Sequence, residues 1–129
     1  MNDSNEGFTI CVDLDGVLLW YDDTCRDGVY GYPLPGAREF LSRLKEMGKV
    51  VIFTARICPL FGDVKELQRQ VEAVLKHFDL PYDEVFAGEG KPPAQVYIDD
   101  RAVECKPQLG DPGEEYERVI EKVRYIISR

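Results

Sequence analysis

The first residues that could do chemistry lie in the stretch FTICVDLDG, residues 8–16, where Asp13 and Asp15 are separated by one leucine. The residues before them are apolar or β-branched, which is typical of a strand buried on both faces of a parallel sheet. Carboxylates at the end of such a strand lose solvation and repel each other unless a cation, hydrogen-bond donors or solvent compensate them. A divalent metal ion is the simplest compensator, and Gly16 allows the tight turn and close ligand approach that a site needs. An acidic turn that caps the next element is the alternative interpretation of this stretch taken alone.

A second acidic pair ends a later strand. Residues 95–98 are largely apolar and predict the strand, and Asp99 and Asp100 come directly after it. Residues 88–93, GEGKPP, form a helix-incompatible approach to this strand and contain Lys91. Because two strands that both end in paired acids are hard to ascribe to turn composition, the repetition favours a site.

A hydroxyl and a guanidinium follow the strand between the two acidic pairs. Residues 50–53 predict a buried strand, and Thr54, Ala55 and Arg56 come directly after it. A β-α-β connection makes this strand parallel to the first, so that its end lies at the same sheet edge as Asp13.

The elements that must position these residues alternate along the chain. Helical periodicity begins after Pro35-Gly36 and stops before Gly48, resumes at the N-cap Asp63, and starts again within 110–113; a short strand is predicted over 84–87. This order predicts an α/β protein, a three-layer α/β/α sandwich with a mostly parallel, Rossmann-like sheet. The last helix is expected to bury an apolar face formed by Tyr116, Val119, Ile120, Val123, Ile126 and Ile127.

The length of 129 residues fits a single domain spanning 1–129. Residues 1–7 are predicted to be a loose tail, and residues 17–35 a loop or small hairpin flap over the strand ends. The flap carries four aromatic side chains, which fit stacking on a ring but more often pack a flap against its domain. They are Trp20, Tyr21, Tyr30 and Tyr32.

Composition and charge argue against several classes of protein. A net charge of −8 and a pI near 4.7 disfavour a protein that grips long nucleic acid through its phosphates. No stretch resembles a membrane span or a signal-peptide core, so the expected location is the cytoplasm. The four cysteines form no C-x-x-C pair, which favours a reduced compartment and argues against a zinc site.

Four motifs together resemble those of the haloacid dehalogenase-like (HAD) phosphohydrolases. They are DLDGV at 13–17, Thr54 in IFTAR, Lys91 before a strand, and YIDDRA at 97–102. The motifs occur in the family's order and span most of the chain. Since only about twenty residues separate the first motif from the first helix, the resemblance is to small members without a cap domain. It implies a magnesium-dependent phosphatase.

The chemistry of the first motif agrees with that implication. A carboxylate such as Asp13 can attack a phosphoryl group and form an aspartyl-phosphate. Asp15, held in a different environment, can protonate the leaving oxygen and then take a proton from the attacking water. The resemblance implies that Mg²⁺ is held by Asp13, the Asp15 backbone carbonyl and Asp100, with Asp99 behind the direct ligands; the order of the last two is left open.

Phosphoryl transfer also needs donors around the transferred group. Thr54 can supply a hydroxyl and Lys91 an ammonium, and both are predicted to be catalytic as well as substrate-binding. Ala55 and Arg56 complete the predicted substrate-binding set. Arg56 and Arg101 fit surface ion pairs as well as they fit substrate contacts.

The predicted substrate is a small phosphomonoester, with nucleotides and sugar phosphates first. A phosphatase of macromolecular ends, either polynucleotide or phosphoprotein, is one alternative, and a non-catalytic or regulatory Mg²⁺-binding interaction module is another. A signalling receiver domain is disfavoured because its adjacent acids follow the first strand, whereas here the adjacent pair comes last. Homo-oligomerisation would help an open site to exclude water, and the sequence does not decide it.

Overall fold

A computed structural model describes residues 7–129. The tail predicted over 1–7 lies outside the described residues, apart from Gly7. The described strands form one all-parallel sheet in the order β3-β2-β1-β4, which confirms the predicted α/β class. The strands are β1 Thr9–Val12, β2 Lys49–Ile52, β3 Glu84–Val85 and β4 Val96–Ile98.

The register aligns the ends of the strands that carry the motifs. Val12 pairs with Ile52 on one side and with Ile98 on the other. The residues that follow these three therefore leave the sheet at one level, and the backbone amide of Asp13 still donates to the Ile98 carbonyl at 2.9 Å. Each strand begins or ends within one or two residues of its predicted bounds, since the acids and Thr54 stop the ladder where the sequence indicates.

Three α-helices, α1 Ala37–Lys45, α2 Val64–His77 and α3 Pro112–Ser128, connect and follow the strands. The Asp63 side chain caps α2 by accepting from the Lys65 amide at 3.0 Å, as the sequence predicts. Asp111 caps α3 in the same way. None of the helices in residues 7–129 has the length and apolar composition needed to cross a membrane.

The core lies between one face of the sheet and the helices α1 and α2. Alternate strand residues point into it, as the pleat requires. The side chains without solvent exposure include Val12, Val50, Ile52, Leu41, Val71 and Leu75. Burial of this cluster positions β1 at the centre of the sheet, with its carboxyl end and Asp13 at the sheet edge.

Helix α3 does not contribute to this core, and the prediction that it buries an apolar face is wrong. No residue of α3 is buried. Its main contacts are with the single-turn 3₁₀-helix Pro107–Leu109. The Lys106 amide donates to Glu115 at 2.6 Å and Arg118 donates to the Glu104 carbonyl, so polar bonds hold α3 to the preceding loop. Of the predicted apolar face, Val119 and Ile126 are half-buried and the other four residues are exposed.

Residues 17–35 contain only isolated bridges, from Leu19 to Asp15 and to Pro33. Leu18 and Leu19 have no solvent exposure and anchor the start of this segment in the core. The Trp20 amide donates to the Tyr32 carbonyl at 2.8 Å, which closes the segment into a loop.

Candidate active site

Three carboxylates meet where β1 and β4 end. Asp13, Asp99 and Asp100 each present an oxygen, and these oxygens all lie within 4.8 Å of one another. Carboxylate oxygens are the hard ligands that Mg²⁺ prefers, and a divalent cation would offset the crowding of three like charges. The cluster therefore fits a divalent metal ion. It contains three of the four residues predicted as metal ligands; for the fourth, Asp15, the prediction concerned its backbone carbonyl.

Gly16 makes room for this cluster. Its φ of +83° lies in the left-handed region, and a Cβ at this position would lie 2.9 Å from the Asp100 Cγ. Any side chain here would push the Asp100 carboxylate out of its place. The sequence predicted a tight turn at Gly16, but not that the turn accommodates a residue from the end of β4.

The environment of Asp13 opposes its ionisation. Burial raises its pKa to about 6, and the charges of Asp99, Asp100 and Asp15 act in the same direction. A hydrogen bond from the Leu14 amide to Asp13 Oδ1 at 2.8 Å opposes the shift. A nucleophilic carboxylate must be ionised, so a cation that stabilises the charged form would prepare Asp13 for attack.

Asp15 is held apart from the cluster by Arg56. The guanidinium Nε donates to Asp15 Oδ2 at 2.6 Å and Nη2 donates to Oδ1 at 2.9 Å, a bidentate pair whose side chains are only 15% and 16% exposed. The same Nη2 donates to the backbone carbonyls of Cys25 at 3.2 Å and Val29 at 2.9 Å. The Arg56 guanidinium carbon lies 3.9 Å from the centroid of the Tyr30 ring. The flap thus supports the arginine that orients the second aspartate.

Arg56 is accordingly bonded to protein atoms through Nε and Nη2. The hydrogen bond and charge of Asp15 raise the pKa of Arg56 despite its burial, so the guanidinium is always charged. Its predicted contact with substrate stays a prediction.

Thr54 lies beside this pair and is 4% exposed. Its Oγ1 accepts from the Arg56 amide at 3.1 Å, which leaves the hydroxyl hydrogen available for a substrate oxygen. Thr54 and Ala55 line a cavity of about 890 Å³ together with Asp13 and Asp15. Residues of the flap form another part of its wall.

Lys91 approaches Asp13 from another side. It lines a separate cavity of about 120 Å³ with Asp13, Asp99 and Tyr97, and it does not line the larger cavity. The Lys91 Nζ lies 4.1 Å from the centroid of the Tyr97 ring, and the Tyr97 hydroxyl donates to the Pro92 carbonyl. The structure therefore places Lys91 near the cluster, and its contact with phosphate stays a prediction.

The sequence did not indicate the flap carbonyls or Tyr30 as supports of the site. These contacts join Arg56 to Cys25, Val29 and Tyr30, which precede it in the chain by 26 to 31 positions. No local sequence pattern encodes contacts over such separations. The aromatic side chain at position 30 is the one available signal, and in the sequence it fits either stacking on a ring or packing of the flap. Tyr30 does stack, but on Arg56.

No protein-family model matches the chain, and no curated protein sequence matches it. Two solved structures align with it. One is a phosphatase. The D,D-heptose 1,7-bisphosphate phosphatase from B. bronchiseptica, crystallised with magnesium and phosphate, aligns at 19% identity and a TM-score of 0.42, over 91% of this chain and 64% of that protein. The other, a structural target from Vibrio cholerae, aligns at 28% identity and a TM-score of 0.48, over 83% of this chain and 85% of that protein. Because both TM-scores lie below 0.5, function must be argued from the site itself.

Proposed function

We propose that this protein is a magnesium-dependent phosphomonoester hydrolase that acts through an aspartyl-phosphate on Asp13. The observation that carries the proposal is the separation of two carboxylates that are close in sequence. Asp13 belongs to the three-carboxylate cluster, whereas Asp15 is held by Arg56 beside the same cavity. Two carboxylates in different environments are what separate nucleophile and acid-base roles require.

In the first step an Asp13 oxygen attacks phosphorus, and the bond from phosphorus to the ester oxygen breaks. Asp15 gives its proton to the departing oxygen. In the second step water attacks phosphorus, Asp15 takes the water proton, and the bond to Asp13 breaks to release inorganic phosphate. Each carboxylate oxygen of Asp15 has a second lone-pair site, so the hydrogen bonds from Arg56 leave room for this proton.

Asp13 and Asp100 would hold the magnesium ion, with the Asp15 carbonyl as a further ligand and Asp99 beside them. When bound, the ion supplies positive charge that offsets the phosphoryl oxygens. The Thr54 hydroxyl would donate to one phosphoryl oxygen, because its own oxygen is already oriented by the Arg56 amide.

We infer a small phosphomonoester as substrate, a nucleotide or sugar phosphate. The cavity of about 890 Å³ has the size of a small-molecule pocket and is lined partly by Tyr21 and Tyr30. The formal charge of −8 is unfavourable for long nucleic acid. A non-catalytic magnesium-binding module is the second candidate, because the carboxylate cluster supports metal binding with or without turnover.

The test measures phosphate release from an aryl phosphate and from a panel of nucleotides and sugar phosphates, with magnesium and with chelator. We expect magnesium-dependent turnover that Asp13→Asn abolishes while the protein stays folded. Asp23→Asn is the matched control, because Asp23 is a flap aspartate whose side chain is 95% exposed. Magnesium binding without turnover on any compound would favour the non-catalytic module. Unchanged turnover in Asp13→Asn would remove Asp13 from the nucleophile role.

A further inference from the structure

Helix α3 presents an exposed apolar stripe with the spacing of a coiled-coil seam. Tyr116, Ile120, Val123 and Ile127 follow one another at intervals of four, three and four residues. Their exposures are 53%, 45%, 38% and 78%. A helix of 17 residues is about 26 Å long, so the stripe runs along most of α3.

The bonds that attach α3 to its own chain leave this stripe free. Glu115 accepts from the Lys106 amide, and Arg118 donates to the Glu104 carbonyl. Neither Glu115 nor Arg118 belongs to the stripe. Within residues 7–129, α3 therefore has a fixed attachment and an uncovered apolar face.

The exposed area of the whole chain is large for its mass. It amounts to 9104 Å², whereas a compact monomer of 14.7 kDa exposes about 6,900 Å². One partner in a standard protein interface buries about 800 Å². The difference between the two exposed areas is larger than the area that one partner buries. Burying the α3 stripe against a partner would therefore bring the exposed area of the chain closer to that of a compact monomer.

The charges of α3 indicate which partner fits. Residues 112–120 carry three glutamates and one arginine, whereas residues 121–129 carry three basic residues and one glutamate. An antiparallel copy of the same helix places each acidic half beside a basic half. Antiparallel pairing also sets the two helix dipoles in opposite directions, which is favourable. A parallel copy would bring like halves together.

We propose that α3 pairs antiparallel with α3 of a second copy of this chain and forms a symmetric dimer. Centring the two-fold axis between residues 121 and 122 places Tyr116 opposite the partner's Ile127 and Ile120 opposite the partner's Val123. In this register Glu117 flanks the seam near the partner's Arg124. The dimer does not depend on the proposed phosphatase activity.

The test is the concentration dependence of the mass of the full chain in sedimentation equilibrium. We expect a monomer-dimer equilibrium, and Ile120→Lys should raise the dimer dissociation constant by about tenfold or more. Tyr125→Lys is the matched control, because Tyr125 is 61% exposed and lies on the opposite side of α3; it should leave the constant unchanged. Since Ile120 is already exposed in one chain, its replacement should not lower the melting temperature of the monomer.

Charge reversal tests the orientation. Glu117→Arg and Arg124→Glu should each weaken the dimer, and the double variant should restore it. A parallel pair would not be restored, because Glu117 would then lie level with the partner's Glu117 and seven residues, about 10 Å, from the partner's Arg124. A monomer at all concentrations would overturn the proposal. So would an Ile120→Lys variant that melts at a lower temperature with no change in mass, because that result would mean that α3 packs within its own chain.

Discussion

The bidentate pair between Arg56 and Asp15 leads to a prediction that separates acid-base catalysis from substrate binding. Replacing Arg56 with glutamine removes both charge-assisted hydrogen bonds at 2.6 and 2.9 Å and the contact with the Tyr30 ring. The Asp15 carboxylate would still be present, but nothing would hold it in the orientation that proton transfer to the leaving oxygen requires. We expect turnover to fall most for substrates whose leaving oxygen most needs a proton.

The size of the effect follows from the geometry. A hydrogen bond to a charged group contributes about 1.5 to 3 kcal/mol, and the pair is largely shielded from solvent at 15% and 16% exposure. Losing the orientation that one such bond supplies corresponds to a decrease in kcat of about 13- to 160-fold, since 1.36 kcal/mol is tenfold. General acid-base catalysis by a positioned side chain contributes about 10² to 10⁴-fold, so this decrease stays within what Asp15 can supply.

The assay compares two leaving groups on the same variant. The alkoxide of an alkyl phosphate needs a proton in order to leave from phosphorus. The dinitrophenolate of dinitrophenyl phosphate leaves readily without one. We expect Arg56→Gln to lose the full factor on the alkyl phosphate and much less on the aryl compound. Arg56→Lys should recover little, because an ammonium cannot reproduce the planar fork.

Arg38→Gln is the matched control for the loss of an arginine. Arg38 donates to the backbone carbonyls of Asp79 at 2.9 Å and Phe78 at 3.2 Å, and it does not line either cavity around Asp13. Its removal should leave kcat unchanged for both compounds. Equal losses on the two leaving groups in Arg56→Gln would refute the positioning role. A rise in KM with unchanged kcat would instead support the predicted contact of Arg56 with substrate.

Two further predictions concern the carboxylate cluster. The first is about its stability without metal, and the second is about the stability of the fold and magnesium binding. Asp13 has a folded pKa of about 6, raised by burial above its ordinary 3.8, so its contribution to stability is full below about pH 4 and is lost as pH rises through 6. Asp13→Asn should therefore raise the melting temperature in chelator more at pH 8 than at pH 4; an equal or opposite effect would contradict the raised pKa. Gly16→Ala should destabilise the fold by about 1 to 3 kcal/mol in urea and weaken magnesium binding, since φ is +83° and Asp100 Cγ lies 2.9 Å from the added Cβ. Gly90→Ala, at φ +75° with nothing within 4 Å, carries the backbone strain alone and should leave magnesium affinity unchanged.

Much of the fold could be predicted because the relevant information is local. Acids end β1 and β4, Asp63 caps α2, and the alternation of strand and helix predicts a parallel sheet. The register of that sheet then brings together Asp13, Asp99 and Asp100, which were predicted from their positions at strand ends. Their roles in catalysis and metal binding remain predictions until the assays above are made.

The sequence by itself determined where strands stop, which residue types stand at their ends, and which helix faces are apolar, because each depends on spacing along a short segment. Tertiary structure alone decided that Arg56 bonds to Asp15, 41 residues earlier in the chain, and that Gly16 lies against Asp100. It also decided that the apolar face of α3 stays uncovered. An amphipathic pattern specifies that a face can be buried, but the path of the chain and the polar bonds of the connecting loop decide whether its own sheet lies within reach.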